Sequence, residues 1–509
     1  MTGRARKLAV GMSLGLLALA AAGGVPARGD ALQPLRVTSP TRMTGDDARP
    51  TRAYQSPSLL VSPDDPDVAV AAALEMSSGT CSLFRSNDGG ESWARLEASP
   101  SPETYPKCFQ GAVYGYLNET PIAWGRNGTL YWGMTGLDPA KTEEDLSVLV
   151  ARTDDLGSSW SWGTAFDGRN GVEARTRPSR PVTGLAVDTT TGENDTVYVG
   201  WETWPGAPRT LALIATSTDG GQTFSEPRSP IPDDVAERLG GPEGFETLPP
   251  ELEVGADGTL FVLLPGNPTT DGYPNKLLLA RSDDQGETFA VAEVTTPFDA
   301  NTTPSLQWVP EGGPDGTLHI VYEDRPTPPR GTREIYYQRS TDGGRSFSSP
   351  HRLNDDDPAQ RFAHHNPRLA VAPGGRLDVT WWDFRDGAAD YANDVYLTSS
   401  PDNGDTWSPN HRVTDRSIGR RTGYWSNGYD MRSPPGLAST DATAIFGWSD
   451  TRLAEDTELQ DVYSAVVQME KRPGDTASLW AYALAALGGL AAGGVALLVA
   501  SLVQRRRHS

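Results

Sequence analysis

An eight-residue pattern, Ser or Thr, any residue, Asp, any, Gly, any, any, Trp or Phe, occurs six times along this 509-residue chain. No other feature restricts the possible folds as much. The copies start at Ser86, Thr153, Ser217, Ser282, Ser340 and Ser400. They carry Asp88, Asp155, Asp219, Asp284, Asp342 and Asp402, spaced 58 to 67 residues apart. Hydroxyl and carboxylate oxygens suit a hairpin turn whose amides need acceptors, the glycine suits a positive φ, and the aromatic ring plugs back between sheets. Each turn has too few carboxylates for an EF-type calcium loop. A period of this length means a repeat architecture, so the chain is not read as three average domains. With 8% aromatic residues it is not low-complexity disorder either.

About thirty residues before each turn a Pro opens an alternating run, at Pro57, Pro121, Pro181, Pro250, Pro304 and Pro367, and a seventh such Pro is Pro435. A turn, a second run rich in Val, Leu, Tyr and Trp, a variable loop and a third run entering the Asp turn then follow; in the sixth unit the runs are 369–371, 377–381 and 394–398. Four strands per unit is the pattern of a propeller blade. The seventh unit stops near 467 without its Asp turn and lacks a fourth strand. Leu35-Arg36-Val37-Thr38 is similar to the fourth-strand segments at 351–354 and 411–414, so the N-terminal strand is expected to complete the last blade and remove both sheet edges. The expectation is an all-β propeller over 35–467 with seven blades, or six if the first or last unit is not a full sheet.

The repeated turn resembles the Asp box of the sialidase-like (neuraminidase) propellers, also called the bacterial neuraminidase repeat. The resemblance covers roughly 35–467 and implies a propeller with its boxes on the face away from the pocket. For a sialidase it also implies three arginines on the substrate carboxylate, a Tyr nucleophile supported by Glu, and an Asp acid/base. The family's opening Arg-Ile/Leu-Pro signature corresponds here to Tyr54-Gln55-Ser56-Pro57, so Gln55 stands where the first arginine would. A neutral amide gives no charged bidentate clamp. The stretch Glu75-Met76-Ser77-Ser78-Gly79-Thr80-Cys81 also lacks the Arg and the acid/base Asp that the family places before its first box. Sialidases resemble six-bladed rings, whereas seven units are counted in this chain. The resemblance supports the scaffold and argues against the sialidase reaction.

Function in a propeller sits on the face where fourth-to-first and second-to-third strand loops gather. The longest such loops are 94–120, 133–147, 225–249 and 408–434. Arg180, Glu251, His364, His365 and Arg368 fall at starts of first strands. The His364-His365 pair is distinctive in a chain with 6 His, as a binding, acid/base or loop pair; a metal would need further ligands. Ends of second strands carry Trp201-Glu202, Asp324-Arg325, Trp382-Asp383 with Arg385, and Trp448 with Asp450 and Arg452. Recurrence across blades favours Asp–Arg ties between loops over catalysis; the functional reading stacks aromatic faces on sugar rings. Arg416, Arg420, Arg421, Tyr424 and Trp425 fit the same description.

The two ends concern location. Arg4, Arg6 and Lys7 precede an apolar run and a small-residue cleavage site, which reads as a signal peptide over 1–27. Residues 479–503 form an uncharged apolar stretch long enough for one transmembrane helix, followed by Arg505, Arg506 and Arg507 in a cytoplasmic tail, 504–509. No Leu-Pro-x-Thr-Gly sorting motif precedes it, and 468–478 reads as a stalk. Gly489 and Gly493 offer a weak dimerisation signal. Each end adds three basic residues, so the body is more acidic than the whole chain at −22, a poor partner for nucleic acid or anionic lipid. Lys occurs only at 7, 107, 141, 276 and 471, the bias of a bacterial G+C-rich gene. On the exported side Cys81 and Cys108 are expected to form a disulfide rather than a metal site.

The leading reading is a cell-surface propeller with its ectodomain extracellular, binding a glycan or glycoprotein without sialidase activity. The alternative is an exo-acting glycoside hydrolase, a divergent sialidase or an enzyme using Glu251 with Asp383. A third class is an assembly factor with a loop-built face. No cofactor motif, nucleotide loop, HExxH or GxSxG is present.

Overall fold

The computed structural model describes residues 34–45, 47, 52–75, 80–96, 107–108, 121–137, 146–168, 182, 184–203, 211–241, 245–270, 272, 274–298, 304–312, 316–325, 332–387, 391–423, 434–454 and 459–469. Calls on 1–27, 470–509, Arg180, Tyr424 and Trp425 lie outside them. Seven antiparallel sheets succeed one another along the chain, and each innermost strand touches the next around a closed ring. This is a seven-bladed propeller.

Blade 1 holds Tyr54–Val61, Ala69–Glu75, Thr80–Ser86 and Ala94–Arg95. Blade 2 holds Ile122–Trp124, Leu130–Leu137, Ser147–Thr153 and Ser161–Phe166, and blade 3 Gly184–Asp188, Thr196–Glu202 and Ala212–Ser217. Blade 4 is Glu251–Val254, Leu260–Pro268, Lys276–Ser282 and Ala290–Thr295, and blade 5 Ser305–Val309, Thr317–Asp324, Glu334–Ser340 and His351–Arg352. Blade 6 is His364–Val371, Leu377–Asp383, Ala392–Ser400 and His411–Arg412. Blade 7 takes Gly436–Ser439, Thr443–Asp450 and Asp461–Met469 from the end of the chain and Pro34–Val37 from its beginning. The closing pair runs Arg36 against Gln468 and Val37 against Val467, so the last strand continues two residues into the segment read as stalk.

Second strands such as Thr196–Glu202 and Leu377–Asp383 are buried at every residue, because neighbouring blades cover both faces. That is why they read as near-continuous apolar runs rather than alternating ones. Trp132, Trp201, Trp381, Trp382 and Trp448 are among the fully buried rings on these strands. Between blades 5 and 6, for example, Val321, Ile335 and Tyr337 pack on Leu369, Val379 and Trp381; each such side chain contributes about 1.5–3 kcal/mol by leaving water.

Blade 3 departs from the expected four strands. Its fourth position holds only an isolated bridge, Ile214 to Arg228, since Pro227, Pro230 and Pro232 remove donors that a ladder needs. The loop at 225–249 is also not irregular throughout: it contains the helix Asp233–Gly240, opened by Asp233 and Asp234 where the helix dipole favours acid.

The six acidic turns share one geometry. At Asp219 the Ser217 hydroxyl donates to Oδ1 (2.7 Å), the Thr223 amide donates to Oδ1 (2.9 Å), and the Thr223 hydroxyl donates to Oδ2 (2.6 Å). The Gly221 amide donates back to Ser217 Oγ at 2.8 Å. The same set recurs at Asp88, Asp155, Asp284, Asp342 and Asp402. Glycine is required in the fifth place: Gly344 has φ +81°, and a Cβ there would lie 2.3 Å from Leu279 Cδ2 of the preceding blade. Cys81 is disulfide-bonded and neither cysteine is free. Among the described residues no helix is long and apolar enough to cross a membrane.

Candidate functional site: the channel and its mouth

The innermost strands of all seven blades enclose a channel of about 390 Å³. Leu185, Leu252 and Leu437 of these strands are buried in the cores between blades, and the surface the channel offers is more polar than apolar, with Ser58, Glu251, Glu253, Gln307 and Arg368 among its lining. Alternation along Glu251–Val254 puts Glu251 and Glu253 on the same side of the strand. Arg368 of blade 6 reaches past blade 5 to Glu251, Nη1 to Oε1 at 3.1 Å. The small side chain between them, Ser305, accepts the Leu369 amide at 3.2 Å. Gln307 Nε2 donates to Glu253 Oε2 at 3.3 Å. Burial and the neighbouring Glu251 charge push the Glu253 carboxyl up to about 8, opposed by the Trp308 amide. At neutral pH Glu253 is therefore neutral, beside a Glu251 that is ion-paired with Arg368.

Above the channel, His365 Nδ1 lies 3.4 Å from Glu323 Oε1. Glu323 is fully buried, is also bonded by Arg333, and accepts the Asn366 amide at 2.7 Å. Burial opposes its ionisation, but His365, Arg333 and that amide hold it below the usual carboxylate range. His365 is 30% exposed, and its Nε2 has no hydrogen bond among the described residues. A carboxylate on Nδ1 and an open Nε2 is the orientation that fits an imidazole to accept or donate a proton. The strand is bulged between His365 and Arg368, with Asn366 at φ +52°. Blade 1 bulges at the matching place, between Gln55 and Ser58. Gln55 is thus the positional counterpart of His365; it is buried, and its Nε2 lacks a partner.

His364, next to it on the opposite strand face, belongs to an ion network between blades 5 and 6. Its Nδ1 lies 3.0 Å from Arg333 O, and its Nε2 lies 3.3 Å from Asp356 and 3.5 Å from Asp383. Burial works against the imidazolium, yet Asp356 and Asp383 outweigh it and raise the His364 pKa, while Asp356 is driven far below its ordinary value. Glu334, Asp356 and His364 place donor atoms within 4.8 Å of one another. Arg352 already bridges Glu334 (2.8 Å) and Asp356 (2.9 Å), and the Asn354 amide bonds both, so groups of the chain itself satisfy these carboxylates.

Asp383 does not face Glu251 across the channel. It is fully buried, accepting from Trp381 Nε1 (2.9 Å) and Arg385 Nη2 (2.9 Å), and Arg385 continues to Asp355 at 2.6 Å. Blade 7 repeats the arrangement with Trp448 Nε1 and Arg452 on Asp450, and Arg452 on Asp415 at 2.9 Å. In blades 6 and 7 these groups tie the second-strand end to the loop of the preceding blade. Trp201 and Glu202 are buried in blade 3, with Trp201 6.2 Å from Phe166. Asp324 is half-buried and accepts the Arg325 amide at 2.7 Å. Trp382 lies under the Arg420 guanidinium, 5.2 Å from Cζ to the ring centroid. Of the residues singled out in the sequence, Glu251 and Arg368 meet in the channel, while His364, Asp383 and Arg385 meet in the inter-blade network. Sequence reasoning missed Glu253, Gln307, Glu323 and Arg333. Period-two alternation was the available signal for Glu253, which shares a face with Glu251; nothing local marks Arg333.

No protein-family model matches the chain and no curated protein matches it. Among solved structures it is similar to the alpha-L-arabinanase of Penicillium chrysogenum complexed with arabinobiose, at 13% identity, covering 68% of this chain and 94% of that one, TM-score 0.44. A Hadza microbial sialidase is 15% identical, with 79% and 74% covered and a TM-score of 0.43. A protein of unknown function from Dyadobacter fermentans is 13% identical, with 86% and 100% covered and a TM-score of 0.44. The seven-bladed architecture itself rests on this chain's own strand pairing.

Proposed function

We propose that the protein is an exported, surface-tethered propeller that binds a neutral glycan at the channel mouth and does not hydrolyse sialosides. One observation carries this reading: five described arginines of the channel wall and the strand ends above it are matched to carboxylates. Arg52 is on Asp461, Arg333 on Glu323, Arg368 on Glu251, Arg385 on Asp383 and Arg452 on Asp450. A sialoside carboxylate needs cations to spare. Neutral hydroxyls need mixed donors and acceptors, which the Glu251–Arg368 pair, the neutral Glu253 carboxyl, Gln307 and His365 supply. Gln55 in place of an arginine points the same way. The disulfide at Cys81 supports an oxidising, exported setting. Tethering by 479–503, with a weak tendency of that segment to self-associate, completes the proposal.

The full-length protein in detergent, tested against a glycan array and a fluorogenic sialoside, decides it. Binding to uncharged glycans with no heat-labile fluorophore release is the expected result; sialoside turnover sinks the reading. A second reading, hydrolysis of neutral glycosides, is favoured by the neutral Glu253 carboxyl standing beside the ion-paired Glu251. It predicts release of p-nitrophenol from neutral aryl glycosides that Glu253→Gln abolishes.

A further inference from the structure

Seven non-glycine residues among those described have positive φ. Leu156, Gln285 and Asn403 stand between the Asp and Gly of three acidic turns, and Asn127 turns the first strand of blade 2 into its second. Tight turns on the face away from the channel mouth account for these four. The other three, Arg361 (57°), Asn366 (52°) and Tyr391 (52°), gather at the mouth side of blade 6. Strained backbone of this kind persists where surrounding structure imposes it, and it concentrates at ligand sites.

Tyr391 is the strongest case, since a bulky residue in the left-handed region is an outlier. The residue is 58% exposed, one of two exposed large hydrophobics among the described residues. The Arg421 guanidinium lies 4.5 Å from its centroid and the Arg420 amide donates to Tyr391 O at 3.0 Å. Arg420 in turn stacks over Trp382 and Phe384, and His365 meets Phe384 edge-on at 5.7 Å. Two residues along, Asn393 is fully buried with neither amide atom paired, a second departure from stability at the same loop. Local costs stacked in one place, around an aromatic ring held out into solvent, are what function rather than folding retains.

We infer that blade 6 carries a second sugar subsite, in which the Tyr391 ring stacks on one unit of a neutral oligosaccharide whose terminal unit sits at the channel mouth. This rests on the glycan-binding reading above. The third strand of blade 6, which Tyr391 immediately precedes, lies two strand spacings, about 9.6 Å, outward from the strand carrying His365. A ligand spanning both positions is therefore an oligomer. The apolar face of a sugar ring covers the aromatic face, and hydroxyls take hydrogen bonds from Arg421 and exchange them with His365 Nε2.

Calorimetric titration of the full-length protein in detergent with arabinose, xylose and glucose, and with arabinotetraose, xylotetraose and cellotetraose, tests this. At least one tetrasaccharide is expected to bind, with Tyr391→Ala weakening it about tenfold, Tyr391→Phe retaining it, and the parent monosaccharide unaffected. A tetrasaccharide that binds Tyr391→Ala as tightly as the wild type overturns the subsite and leaves the glycan reading standing. A wild type that binds none of the six sugars overturns both. Unchanged thermal unfolding of the Ala variant separates lost contact from lost fold.

Discussion

Glu253 shows how one side chain links the channel to stability. Its carboxyl titrates near 8 in the folded protein against an ordinary value of 4.5. The native state therefore holds the proton more tightly than the unfolded chain, and this group's contribution is largest below about 4.5. It falls as pH rises from 4.5 to 8 and is flat beyond. Denaturant unfolding of wild type and Glu253→Gln, measured from pH 5 to pH 9, should show wild-type stability declining relative to the variant across that window. Parallel curves would mean that the carboxyl is ionised in the channel. Glu251 shares the strand and the face but is ion-paired with Arg368.

At the scale of the element, the acidic turn is the unit that repeats, and its chemistry is local. Burial is the largest single influence and works against the Asp219 carboxylate, but the Thr223 hydroxyl and amide, the Ser217 hydroxyl and the Gln222 amide together outweigh it and hold its pKa down at about 2. The stabilisation is thus present above about 3.8 and lost as pH falls through 2. Asp219→Asn keeps the shape and removes the charge, and is expected to cost about 1–2 kcal/mol at pH 7, with the gap to wild type closing below pH 3. A gap that stayed constant with pH would assign the loss to shape. These turns were legible in the sequence because every contact in them spans two to four residues. The fourth strand of blade 3 was not, since three prolines decided its absence only once a ladder was required there.

For the whole molecule, the decisive contact is the pairing of residues more than 400 positions apart, Arg36 with Gln468 and Val37 with Val467. The Thr38 amide adds a bond to Val466 O (2.9 Å) and the Met43 amide one to Val462 O (2.8 Å). Arg52 locks the seam on Asp461 at 2.7 Å. Deleting residues 34–42 removes the ladder bonds of Arg36, Val37 and Thr38, each worth about 0.5–1.5 kcal/mol, and bares a sheet edge. A lower unfolding temperature and concentration-dependent association by light scattering are expected; an unchanged monomer with unchanged stability would show that blade 7 stands on three strands. Fold class and the repeating unit follow from the sequence alone, because repeat spacing, turn chemistry and hydrophobic period are short-range properties; seven blades rather than six were decided by the closing pair of strands. The site was decided by tertiary structure. Glu251 meets Arg368 across 117 positions and Glu323 meets His365 across 42. Which carboxylate keeps its proton, which arginine is neutralised and which aromatic ring stays in solvent depend on neighbours that only the closed ring brings together.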